Sequence, residues 1–82
     1  MTSKTLPSIG FLEHCHGYIA HRELGVLLYL CTLKSAAGYY IGTVHDEHGP
    51  VSRESVEYFR TQKQAEEALA TGGWTQRSSS RT

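Results

Sequence analysis

Gly25-Val26-Leu27-Leu28-Tyr29-Leu30-Cys31-Thr32-Leu33 is the stretch on which the fold turns. Its leucines suit a buried helix, with Gly38 as the C-terminal stop. Against a helix stand its shortness, the residues Val26, Tyr29 and Thr32, and the break Lys34-Ser35-Ala36-Ala37-Gly38 before another apolar run. We read it as a central strand over 26–33, with the helical reading left open. Tyr39-Tyr40-Ile41-Gly42-Thr43-Val44, β-branched and aromatic, follows as a second strand. Asp46-Glu47-His48-Gly49-Pro50 is a turn, because glycine supplies positive φ and proline cannot continue a ladder. Val51 to Phe59 is a third strand, on which Val56 and Tyr58 share a face by the period of two. Short connections between successive strands imply an antiparallel meander.

Downstream, Thr61-Gln62-Lys63-Gln64 fits a capping box. Ala65, Ala68 and Leu69 then form an i, i+3, i+4 stripe that packs on the sheet. Gly72 or Gly73 ends the helix, and Trp74 is expected to fold back over the helix–sheet seam. Lys63 in the first turn runs against the helix dipole, so packing rather than intrinsic stability must hold this element. The fold class is therefore α+β: an antiparallel β-meander of three strands with one C-terminal helix on one face. A fourth strand, near Ile9–Leu12 or Gly17–His21, is left open. The chain divides into an N-terminal segment (1–22), a β-β-β-α core (23–74) and a tail (75–82) with no apolar residue. The tail is expected to be disordered, and deletion of 76–82 is expected to leave the fold intact. Trp74, Phe59, Tyr58 and Leu69 are expected to supply much of a modest core.

With 82 residues the chain has room for one core. Hydrophobic residues make up 39% and charged residues 20%, the balance of a globular domain rather than a disordered one. Eight basic side chains offset eight acidic ones, which argues against an obligate nucleic-acid or membrane-surface binder. The longest apolar run, Val26 to Cys31, is too short to span a bilayer, and no secretory signal pattern precedes it. Cys15 and Cys31 make neither a disulfide framework nor a C-x-x-C motif, which suits a reducing cytoplasm.

The residue patterns do not point to catalysis. Cys15 lies in Glu13-His14-Cys15-His16, and His45-Asp46-Glu47-His48 is a second histidine group, but neither has a metal-ligand spacing. Glu54 and Glu57 are expected on opposite faces of a strand, so they are not a paired acid and base. The glycines form no phosphate-cradling loop. No catalytic residue, no metal site and no cofactor is expected.

Two binding modes remain. Arg53, with Tyr39 or Tyr40, on the sheet face away from the helix could meet a groove or a stacked base, and Arg60, Lys63 and Arg77 are further basic residues of the C-terminal half. Yet residues 42–82 carry five basic and six acidic side chains, a poor footprint for phosphate. Tyr18, Tyr39, Tyr40 and Tyr58 are too many for one small core, and tyrosine and arginine are favoured at protein interfaces. A third-strand edge could also pair with a partner strand.

The stretch Gly38-Tyr39-Tyr40-Ile41-Gly42-Thr43-Val44, the turn His48-Gly49-Pro50, Glu57-Tyr58-Phe59-Arg60-Thr61 and Gln64-Ala65-Glu66-Glu67-Ala68-Leu69 all fall within residues 38–69. This part of the chain resembles small uncharacterised proteins of proteobacterial mobile elements and prophages. The shorter pattern Tyr58-Phe-x-Thr-x-x-x-Ala-x-x-Ala-Leu69 is similar to the last strand and helix of AP2-like integrase-arm domains. That likeness implies a three-stranded sheet facing DNA with a helix behind it. The expected role is a non-enzymatic cytoplasmic interaction module binding a protein partner or itself. The alternative is an accessory nucleic-acid-binding domain reading through the open sheet face, with no membrane partner in either case.

Overall fold

The computed structural model describes residues 16–80. It is an α+β fold: α1 (Tyr18–Leu24), β1 (Cys31–Ser35), β2 (Gly38–His45), β3 (Gly49–Arg53) and α2 (Gln62–Thr71). The strands form one antiparallel sheet in the order β1-β2-β3. Leu33 stands opposite Tyr40, and Gly42 opposite both Cys31 and Arg53. α2 packs on β1 and β2 while α1 packs on β3. Ile41, Ala65 and Ala20 are 0% exposed, and Ile19, Ala68 and Tyr40 complete the buried apolar set. The core is thus made largely of small and aliphatic side chains. Trp74, Phe59 and Leu69, expected to dominate it, are only half-buried, and Tyr58 is exposed.

α2 forms as its sequence dictates. The Thr61 hydroxyl accepts the Gln64 amide at 3.1 Å, and the Gln64 carboxamide reaches back to accept the Arg60 amide at 3.2 Å. Ala65 and Ala68 turn inward, and Gly72 closes the helix in the left-handed region. The β1–β2 hairpin is equally local. Ser35 pairs with Gly38, and its hydroxyl accepts the Ala37 amide at 3.2 Å.

The strand expected over 26–33 is corrected. β1 begins only at Cys31, because the preceding backbone bonds elsewhere: Leu28 accepts the Gly17 amide at 2.9 Å and Tyr29 bridges His16. Gly17–His21, left open as a fourth strand, instead leads into helix α1; Ile9–Leu12 lies outside the described residues. The third strand also stops early, at Arg53. Beyond it the Glu54 and Ser55 amides both donate to the Ile41 carbonyl, at 2.8 and 2.9 Å, so two residues face one. Residues 54–58 loop out before Phe59 rejoins Tyr39 through two backbone bonds of 2.9 and 2.7 Å.

That loop turns Glu54 inward, where it is 0% exposed. Its two carboxylate oxygens accept four hydrogen bonds. The Ile19 and Ala20 amides donate at 2.9 and 3.1 Å, the Ser52 hydroxyl at 2.6 Å and the Gln76 carboxamide at 2.7 Å. The residue before α1, Gly17, has no side chain with which to cap the helix, and Glu54 supplies the cap from across the fold. Gly17 must be glycine for a steric reason. A Cβ there would collide with the Thr43 methyl and come within 2.8 Å of Glu54 Oε2.

Residues 75–80, within the tail expected to be disordered, are instead tied to the fold, while 81–82 lie outside the described residues. Gln76 bridges Ser55, the Arg77 amide donates to the Glu54 carbonyl at 2.7 Å, and Arg77 is 7% exposed. Its guanidinium donates to the Arg53 carbonyl at 2.8 Å and to the Ser80 carbonyl at 3.0 Å. Polar residues can be ordered here because their partners are buried backbone groups, a bond pattern that composition does not reveal.

Replacing Glu54 by Ala strands the buried Ile19 and Ala20 amides and takes one partner each from the Ser52 hydroxyl and the Gln76 carboxamide. It should cost about 3 kcal/mol or more, and truncation before Gln76 should produce a loss of the same kind. Glu66→Ala, which breaks one exposed bond to Gln62, should cost less than about 0.5 kcal/mol. Urea melts of the variants measure both, and equal costs at positions 54 and 66 would contradict the assignment.

Candidate functional site

Strand register decides which side chains share the sheet's second face. Residues paired across strands project to the same side, and successive residues alternate. Ile41 and Thr43 therefore lie on the helix-covered side, with Gly17 against Thr43. Cys31, Leu33, Tyr40 and Arg53 lie on the other, which no helix covers among the described residues.

On this open face Tyr40, Tyr58 and Arg53 form a cluster. The Tyr58 ring meets Tyr40 edge-on, with centroids 6.0 Å apart and planes at 74°, and the Arg53 guanidinium sits 4.8 Å over the Tyr58 ring. Arg53 is also fixed by donating to the Ser55 and Val56 carbonyls at 2.7 and 3.2 Å. Tyr40 is buried while Tyr58 is 43% exposed, so the cluster has an inner and an outer ring. Gly42 makes this possible, because a Cβ there would meet the Tyr40 ring at 3.0 Å and the Ser52 carbonyl more closely still. Burial pushes the Tyr40 hydroxyl pKa upward, Tyr58 and Cys31 add to the shift, and the Arg53 charge opposes it. Burial likewise raises the Cys31 thiol, leaving it a poor nucleophile at neutral pH.

The six residues singled out in the sequence separate in the structure. Tyr40 and Arg53 come together as described. Tyr39 lies on the opposite side of the sheet from Tyr40, with the Lys34 ammonium 5.6 Å from its ring. Arg60 joins Tyr39, Lys34 and Tyr58 around a shallow cleft beside the β1–β2 hairpin. Lys63 is exposed in the first turn of α2. Arg77 is no surface residue at all, since its guanidinium is spent on main-chain carbonyls. Tyr58, which carries the cluster, reads in the sequence as an interface-type residue with nothing to set it beside Arg53. The looped-out register that brings the two together has no local sequence signal.

Glu54 and Glu57 serve structure. Glu57 accepts the Thr75 amide with both oxygens, at 2.9 and 3.1 Å, and so ties the Tyr58 loop to the segment after α2. The rings of His45 and His48 lie 4.6 Å apart, tilted by 34°. Among the described residues no three ligand-type side chains converge on a point. No described helix is long and apolar enough to cross a membrane. No family model, no curated protein and no solved structure matches this chain.

Burial raises the Glu57 carboxyl pKa, but the Thr75 hydrogen bonds outweigh it and leave the value below the usual glutamate range. A depressed acid stabilises the fold above its unfolded pKa and loses that contribution as pH falls through the folded one. Glu57→Gln should therefore melt below the parent protein at pH 7, with the gap narrowing towards pH 3. A gap that is constant with pH would contradict the latch.

Proposed function

We propose that this protein is a small non-enzymatic interaction module of the cytoplasm that binds a protein partner, or a second copy of itself, through the open sheet face. The observation that carries this reading is the pre-assembled Tyr40–Tyr58–Arg53 cluster. Its outer ring is exposed, its side chains are held by the edge-on ring contact, the guanidinium–ring contact and main-chain bonds, and among the described residues no helix covers the face. Tyrosine and arginine with little left to immobilise are the side chains that dominate binding energy at protein interfaces. A mobile-element setting, suggested by the sequence resemblance, is compatible with such an accessory role.

A second reading rests on a different observation. Lys34 and Arg60 flank Tyr39 in the hairpin cleft, two cations beside an aromatic ring. That combination favours accessory binding of nucleic acid, through phosphate contact and base stacking. It ranks below the first because Arg77, one of the four basic residues proposed for it, is buried on backbone carbonyls, and acidic side chains outnumber basic ones over residues 42–82.

The two readings part in one experiment. A photoreactive benzoylphenylalanine at position 58, irradiated in cells expressing the protein, should give discrete protein adducts absent from a control carrying it at Gln62. No adduct at 58, or the same adducts at both positions, would contradict the first reading. Adducts containing nucleic acid would favour the second.

A further inference from the structure

On the helix-covered side, away from the tyrosine cluster, a groove of about 490 Å³ opens between the end of α2 and the start of α1. Its walls include Leu30, Leu69 and Trp74, with His16, Tyr18 and Gln76 at its polar margin, and no Lys, Arg, Asp or Glu among the described residues lines it. The volume falls in the range of small-molecule sites, about 300–1,000 Å³. Two of the three polar members already have partners. The Gln76 carboxamide is held by Glu54 at 2.7 Å, and the His16 ring stacks on Tyr29 at 4.7 Å. What the groove offers a ligand is therefore chiefly apolar surface.

The third polar member, Tyr18, brings a charge to the margin. Arg22, one helical turn on, donates to the Tyr18 hydroxyl at 2.7 Å, with its guanidinium carbon 5.8 Å from the ring centroid. Among the described residues no carboxylate pairs with Arg22. Arg22 does not itself line the groove; one of its donors holds it on the hydroxyl of Tyr18, which does, and the others remain available to an acceptor. An apolar trough with one cation at its rim is complementary to an amphiphile carrying one anionic end. A planar carboxylate suits the guanidinium fork.

We propose that this groove binds a small aliphatic monocarboxylate, its chain against Leu30, Leu69 and Trp74 and its carboxylate on Arg22. The site is independent of the open sheet face and of whatever binds there. Trp74 is the sole tryptophan of the chain, so its emission reports on the groove. Titrating the full chain with octanoate and with 1-octanol separates charge recognition from apolar partition. The alcohol is the more hydrophobic of the two and would bind more tightly to a purely apolar trough.

Octanoate is expected to give a saturable change in Trp74 emission and to bind about fivefold more tightly than 1-octanol. Arg22→Gln should erase that preference without altering the thermal melt, because Arg22 is exposed. The proposal is overturned if neither ligand gives a saturable change, if the alcohol binds as tightly, or if Arg22→Gln keeps the preference. An octanoate-insensitive chain that self-associates with rising concentration would also overturn it, assigning the groove to a second copy.

Discussion

The fold depends on one buried carboxylate. Glu54 is removed from water, and the groups that answer it are dipoles: two amides of α1, a hydroxyl of β3 and a carboxamide from the segment after α2. Removing an ionised carboxyl from water is costly, and charge-assisted hydrogen bonds to both oxygens, together with the positive end of α1, offset that cost. The donors come from three separate parts of the chain, so the carboxylate is satisfied only when α1, β3 and Gln76 have all assembled. Gly17 belongs to the same constraint, because its missing side chain is the space that Glu54 and Thr43 occupy.

Local signals and non-local ones were unequally legible in the sequence. The capped, Ala-faced helix α2, the hairpin at Ala36–Ala37 and the meander order are encoded within a few residues each, and the structure has them where patterning places them. α1 is different. Without a capping side chain at Gly17, Gly17–His21 reads as ambiguous, and the helix becomes legible only once Glu54 is known to cap it from 35 residues away at Ile19. The leucine-rich run before Cys31 misled for a related reason. Its apolar content suggested a central strand, but the backbone of Leu28 and Tyr29 is engaged by Gly17 and His16, and Leu27 and Tyr29 are left exposed. Arg77 read as a surface cation because nothing in Gln76-Arg77-Ser78 announces that buried carbonyls need its donors.

The sheet gives its two faces different work. One face is consumed by Ile41, Thr43 and the helices, and the apolar groove opens at the edge of that packing. Among the described residues the other carries no helix, with Tyr40 lying beside Gly42 and Tyr58 held between Tyr40 and Arg53. The loop that carries Tyr58 is held at both ends. Glu54 anchors it to α1, and Glu57 anchors it to Thr75. The buried hub therefore also sets the position of the proposed interaction surface, although it takes no part in that surface.

Native-state hydrogen exchange at the Ile19 and Ala20 amides tests the central claim most directly. Both lie in the first turn of a seven-residue helix, where amides without a capping partner exchange within local fraying. If Glu54 holds them, they exchange as slowly as the Ile41 amide in the middle of the sheet, and all three respond together to added denaturant. Fast, denaturant-independent exchange at Ile19 and Ala20, with Ile41 still protected, would contradict the account.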